Sequence, residues 1–155
     1  MAAAESTPDT EWQSLDARLR PEDPQPEGWY AVALADEVPT KGPIGADFLG
    51  GRVVVYRKAS GEPVVMTARC PHMGADLALG DVVGDAIRCT YHHFCFGPDG
   101  DCTKIPSDGP IPSAAKLHSY PTHESFGLVW PTTVRRRVST RRPYGTTPKT
   151  TSPTG

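Results

Sequence analysis

All four cysteines and three of the five histidines of this 155-residue chain fall in one stretch of 33 residues, from Cys70 to Cys102. At its centre stand Cys70-Pro71-His72, then sixteen residues, then Cys89-Thr90-Tyr91-His92. Each Cys/His pair sits where a strand-like run gives way to a turn. Four soft or borderline ligands on two loops demand a fold that brings those loops together around a metal centre. The N-terminus, Met1-Ala2-Ala3-Ala4-Glu5, has neither the basic nor the apolar stretch of an export signal. Cysteines in such a chain argue for metal or catalysis over a disulfide framework.

Two kinds of centre fit the residue types. Structural zinc is one, but zinc sites usually leave two to four residues between paired ligands, and Cys70-Pro71-His72 leaves a single residue. A [2Fe–2S] cluster, with two cysteines on one iron and two histidines on the other, is a wider target that adjacent ligands can share. In that arrangement Cys70 and Cys89 take the inner iron, and His72 and His92 the outer one. His93 is a rival to His92, which the spacing favours.

The scaffold reads as β. Gly and Pro together make up 32 of the 155 residues, so short strands and many turns are expected rather than a helical bundle. Strands are expected over residues 29–34, 52–57 and 63–68, the last two joined by a turn at Ser60-Gly61-Glu62. Further strands follow at 82–83 and 86–89 around Gly84-Asp85, then at 94–96 and Cys102 around Pro98-Asp99-Gly100, and at 117–120 and 127–130. Turn signals every 8–12 residues point to a small all-β sandwich or barrel. Residues 39–45 read as a turn-rich connector. Residues 1–26 read as a loosely held arm, with a short helix allowed over 10–19 by the spacing of Trp12, Leu15 and Leu19. The folded unit is expected over 27–131.

Charge divides the chain at the same place. Up to Trp130 there are ten basic and eighteen acidic residues, a balance of −8, and the six remaining basic residues follow. The segment 132–155, with its Arg135-Arg136-Arg137 cluster, is rich in Thr, Pro and Ser and reads as a disordered, solvated tail. The whole-chain charge of −2 gives no bias toward nucleic acid or a membrane surface. No apolar run approaches the roughly 20 residues of a membrane span, and a cytoplasmic location is expected.

Cys70-Pro71-His72-Met73-Gly74-Ala75 with Cys89-Thr90-Tyr91-His92 closely resembles the Rieske iron–sulfur signature. The resemblance extends over about two thirds of the chain: Gly28-Trp29-Tyr30, Gly100-Asp101-Cys102-Thr103-Lys104-Ile105-Pro106, Ala115 to Pro121 and Gly127-Leu128-Val129-Trp130 are similar to Rieske domains of ring-hydroxylating oxygenase α-subunits. It implies three small antiparallel sheets with a [2Fe–2S] cluster at the tip of two loops, bound by Cys70, His72, Cys89 and His92. It implies a flavin reductase or ferredoxin as donor and an oxygenase catalytic domain as acceptor. There are departures too. His93 and Phe94 stand where the oxygenases usually have Gly and Trp. The disulfide joining the two loops in respiratory-chain members would fall at Ala75 and Tyr91, so it is absent.

The remaining candidates have plain readings. Cys95 and Cys102 are expected to be buried free thiols, and His118 and His123 ordinary surface residues. Gly74 and Gly80 are expected to supply positive φ beside the loops, and Asp76 either bonds loop amides or is solvated. A complete oxygenase α-subunit continues into a domain that holds a mononuclear iron through two His and one carboxylate. After Glu124 this sequence has no Asp, Glu or His. The chain is therefore expected to move an electron without activating oxygen. It is read as part of an oxygenase, by truncation or a change of reading frame, or as a stand-alone ferredoxin-like carrier. No catalytic residue is assigned.

Overall fold

The computed structural model describes residues 26–134 except 108. The possible helix over 10–19 and the Arg135-Arg136-Arg137 cluster lie outside them. Eleven short strands form three antiparallel sheets. The first holds β1 (Ala33–Leu34), β11 (Leu128–Pro131) and β10 (Thr122–Ser125), in that order. The second runs β2 (Ile44–Phe48), β3 (Gly51–Arg57), β4 (Pro63–Thr67), β9 (Ser119–Tyr120). The third is a meander of β5 (Asp81–Val83), β6 (Ala86–Arg88), β7 (Cys95–Phe96) and β8 (Cys102–Lys104).

The second sheet is the middle layer, and the sequence of β3 shows why. Val53, Val54, Val55 and Tyr56 are all buried, and alternate side chains of a strand point to opposite faces. Val53 and Val55 pack with Phe48, Val65 and Val129 toward the first sheet. Val54 and Tyr56 pack with Met66, Ile87, Phe96 and Leu117 toward the third. A strand buried on both faces loses the apolar/polar alternation and becomes a continuous β-branched run. Cys70 and Cys89 belong to the second of these cores.

The expected strand over 29–34 is shorter, because its register slips. Trp29 bridges Thr132 while Ala33 pairs with Val129, so four steps on one strand face three on the other. Such a bulge interrupts the ladder. The chain closes just beyond β11, where Thr133 N donates to the Gly28 carbonyl and Gly28 N to Thr133 Oγ1, both at 3.0 Å. Arg57 ties the remaining edges together. Its guanidinium donates to the carbonyls of Ala35 (2.6 Å), Gly61 (2.7 Å) and Val38 (3.2 Å) and pairs with Glu124 at 2.7 Å.

Candidate metal centre

The loop 70–75 follows β4, and the loop 89–94 joins β6 to β7. They are built to one plan. In each, the cysteine amide donates to the carbonyl five residues on: Cys70 N to Ala75 O and Cys89 N to Phe94 O, both at 2.9 Å. In each, the amide four residues on returns to the cysteine carbonyl: Gly74 N to Cys70 O at 2.8 Å, His93 N to Cys89 O at 3.0 Å. That return needs a left-handed backbone, and Gly74 (φ 74°) and His93 (φ 57°) supply it. Gly74 thus does what its position predicts. Gly80 does not: its φ is −85°. The constraint there is space, since a Cβ at Gly80 would collide with the Arg88 carbonyl.

The matched loops bring the four candidates together in two pairs, cysteine with cysteine and histidine with histidine. Cys70 and Cys89, 2% and 1% exposed, lie side by side with their thiols within hydrogen-bond reach. The amides of His72 and Met73 point at the Cys70 sulfur. Burial pushes the Cys70 thiol up from its ordinary value, and the Cys89 sulfur beside it adds to the rise. A metal reverses that balance, because it binds the thiolate. The rings of His72 and His92, one from each loop, meet edge to face, centroids 4.6 Å apart at 75°. His72 is exposed and His92 partly so. Two cysteine sulfurs and two imidazoles are the types of donor that a two-iron centre takes. Among the described residues, no three His, Cys, Asp or Glu side chains converge on a point that would hold one ion.

The surroundings fix these loops. Asp76 caps the 3₁₀ turn Leu77–Leu79, accepting from Ala78 N at 2.9 Å, while its other oxygen accepts from Arg52 Nε at 2.7 Å. Arg69 Nη1 donates to the Gly74 carbonyl at 3.3 Å. Phe94 stacks on His72 from the other loop, centroids 4.6 Å apart and 13° from parallel. This stack joins the loops, and the spacing of the motif carries no signal of it. His93 is exposed, and its backbone carbonyl accepts from the Cys95 thiol at 3.5 Å. Cys95 and Cys102 are free thiols, the first buried and the second partly so. His118 packs its ring edge-on against Tyr120 at 4.4 Å, so it has more structure around it than an ordinary surface residue.

A small all-antiparallel domain that presents two Cys/His loops at one tip defines an iron–sulfur protein of the Rieske class. The sequence matches the Rieske [2Fe-2S] domain family over residues 28–121, and the chain belongs to that family, whose domain binds a [2Fe–2S] cluster. Its relatives include the oxygenase component of chloroacetanilide N-alkylformylase from Rhizorhabdus wittichii, 44% identical over 103 residues. That match covers 66% of this chain and 29% of the relative. The oxygenase component of 3-ketosteroid-9-alpha-monooxygenase from Rhodococcus rhodochrous is 35% identical, covering 66% of this chain and 28% of the relative. Among solved structures, dicamba monooxygenase bound to dicamba superimposes with a TM-score of 0.63 at 31% identity, over 67% of this chain and 33% of that one. The chain thus spans less than a third of the length of these oxygenase components.

Proposed function

We propose that this protein carries single electrons to an oxygenase catalytic centre, taking them from a flavin reductase or a ferredoxin, with its cluster held by Cys70, His72, Cys89 and His92. The observation that carries this reading is the pairing of the two loops: Cys70 and Cys89 side by side in the interior, and the imidazoles of His72 and His92 meeting edge to face nearer the surface. When bound, the cluster supplies reversible one-electron chemistry. The chain's own residues do the rest. Cys70 and Cys89 anchor the inner side in the apolar core, away from water. The amides of His72 and Met73 favour negative charge at the Cys70 sulfur. His72 and His92, exposed and partly exposed, would hold the cluster from the surface side, where a partner can come close. Phe94 holds the His72 ring in place across the two loops.

The relatives' names as oxygenase components support the acceptor side of this reading. The domain limits follow from it as well: residues 27–131 as the cluster-binding unit, with 1–26 and 132–155 as flanking segments. Among the described residues no helix is long and apolar enough to cross a membrane. The test is iron and labile-sulfide analysis with electron paramagnetic resonance of the reduced protein. Wild type should hold two irons and two sulfides per chain. Cys70→Ser or Cys89→Ser should abolish the cluster, and His93→Ala should leave it. Loss of the cluster in His93→Ala with retention in His92→Ala would overturn the ligand assignment, and zinc in place of iron would overturn the reading as a whole.

A further inference from the structure

Eight Lys and Arg residues lie among the described residues. Five have carboxylate partners: Arg52 with Asp47 and Asp76, Arg57 with Glu124, Lys58 with Glu62, Arg88 with Asp81, and Lys116 with Asp101. The other three, Lys41, Arg69 and Lys104, are exposed and have no carboxylate partner among the described residues. Two of these three stand beside the Cys/His loops.

The meander of the third sheet accounts for one of them. Its antiparallel order puts the start of β5, the end of β6, the start of β7 and the end of β8 at the end that carries the loop 89–94. The register there sets Asp81, Arg88, Cys95 and Lys104 in one row. Arg88 takes up the charge of Asp81, which leaves Lys104 as the unpaired charge of the row. Arg69 directly precedes Cys70 and reaches the Gly74 carbonyl within the loop 70–75. Carboxylates outside ion pairs lie at the far end of the same sheet, Asp85 in the β5–β6 turn and Asp99 in the β7–β8 turn. The loops themselves expose Met73 (64%) and Tyr91 (62%).

Building on the electron-carrier reading above, we infer that this end is the docking surface for an acidic electron-donor protein. Arg69 and Lys104 steer the donor, and Met73 and Tyr91 give it an apolar centre to rest on. The body of the chain to Trp130 has a charge of −8, so an acidic partner is repelled by most of it and attracted only where cations are unpaired. A donor must arrive and leave at each transfer. Exposed rim charges raise the association rate while adding little to the lifetime of the complex.

Stopped-flow reduction of the cluster-loaded full chain tests this, with reduced plant-type [2Fe–2S] ferredoxin, an acidic protein, as the probe and dithionite as the small-molecule control. The second-order rate with ferredoxin should fall about fivefold or more between about 50 and 500 mM salt. At low salt, Arg69→Glu and Lys104→Glu should each lower it about three- to tenfold. Lys41→Glu makes the same charge change at the opposite edge of the sheet from Lys104, in a cleft lined by Lys58, Ala59, Asp81 and Gly84; it should lower the rate less than about 1.5-fold. Reduction by dithionite should be equal in all four proteins. An equal loss in Lys41→Glu would show an effect of net charge alone and overturn the inference. So would a salt dependence left intact in Arg69→Glu and Lys104→Glu, which would assign the attraction to Arg135-Arg136-Arg137. If dithionite reduces wild type and ferredoxin shows none of these effects, only the docking surface falls; if dithionite fails as well, the electron-carrier reading falls with it.

Discussion

Gly74 and His93 hold equivalent places in the two loops. Each follows its cysteine by four residues, each has a left-handed backbone, and each amide closes its loop on the cysteine carbonyl. Only glycine does this without cost. A side chain in the left-handed region costs about 1–2 kcal/mol, and a β-branched one suffers most. His93→Gly should therefore stabilise the cluster-loaded protein by about 0.5–1 kcal/mol, part of the relief being offset by the entropy of glycine in the unfolded chain. His93→Val should cost about 2 kcal/mol. Thermal denaturation with iron analysis checks both. Cluster loss in His93→Gly would mean that the imidazole is needed as well as the backbone shape.

Arg57 is the second point of strain on substitution. Three carbonyls and one carboxylate accept from its guanidinium, and its side chain is only 14% exposed. Arg57→Ala should cost about 2–3 kcal/mol, because it leaves part-buried carbonyls without donors. Glu124→Gln removes one half-exposed ion pair and should cost under about 1 kcal/mol. Urea denaturation should give this order; a larger loss for Glu124→Gln would place the weight on the ion pair instead of the carbonyls.

Asp81 makes stability depend on acid. The bidentate contact with Arg88 holds its carboxyl below the usual carboxylate range. A group whose value is lowered by folding adds stability above its unfolded value, about 3.9, and that stability is lost as pH falls through the lower, folded value. Both side chains are at least two-fifths exposed, so solvent screening keeps the contribution under about 1 kcal/mol. Asp81→Asn should be slightly less stable than wild type at neutral pH, with the gap closing as pH falls through the lowered folded value and narrowing in high salt. A gap that persists in acid would trace the loss to packing.

The family and the pairing of the two Cys/His loops are more legible in the sequence than some of the strands around them. Cys70, His72, Cys89 and His92 carry their signal in local spacing, and the β-branched run Val53-Val54-Val55 announces a strand. β2 gave no such signal. Gly45 and Ala46 are weak strand formers, and the strand exists because all five of its residues pair with β3. The turn between them is Leu49-Gly50, with φ of 47° and 73°, a hairpin geometry whose usual marker is Asn-Gly or Asp-Gly. Residues 39–45 were accordingly expected to be connector. β10 was hidden for a related reason: Thr122-His123-Glu124-Ser125 is polar, an edge strand paired on one side only, and its turn is Phe126-Gly127 with φ of 53° and 72°. The expected positive φ at Gly80 failed because glycine there serves close approach to the Arg88 carbonyl, a long-range packing demand.

The residues after His92 set the expected reduction potential. Hydrogen bonds to cluster and ligand sulfurs stabilise the reduced, more negative state and raise the potential. In the respiratory-type Rieske proteins that the motif resembles, a Ser and a Tyr hydroxyl supply such bonds, at the positions of Phe94 and Phe96 here. Phe96 is fully buried in the core that contains Cys70 and Cys89, and Phe94 is committed to its stack on His72. Neither ring has a donor, so the sulfurs are left with backbone amides such as those of His72 and Met73. The midpoint should lie toward the low end of the Rieske range, about −150 mV, and well away from about +300 mV. Phe96→Tyr should raise it if the new hydroxyl reaches a sulfur. One added bond favouring the reduced state by about 1 kcal/mol corresponds to about 40 mV for one electron. Protein-film voltammetry reads both values. A wild-type midpoint above about +100 mV would show that donors other than these two hydroxyls control the potential.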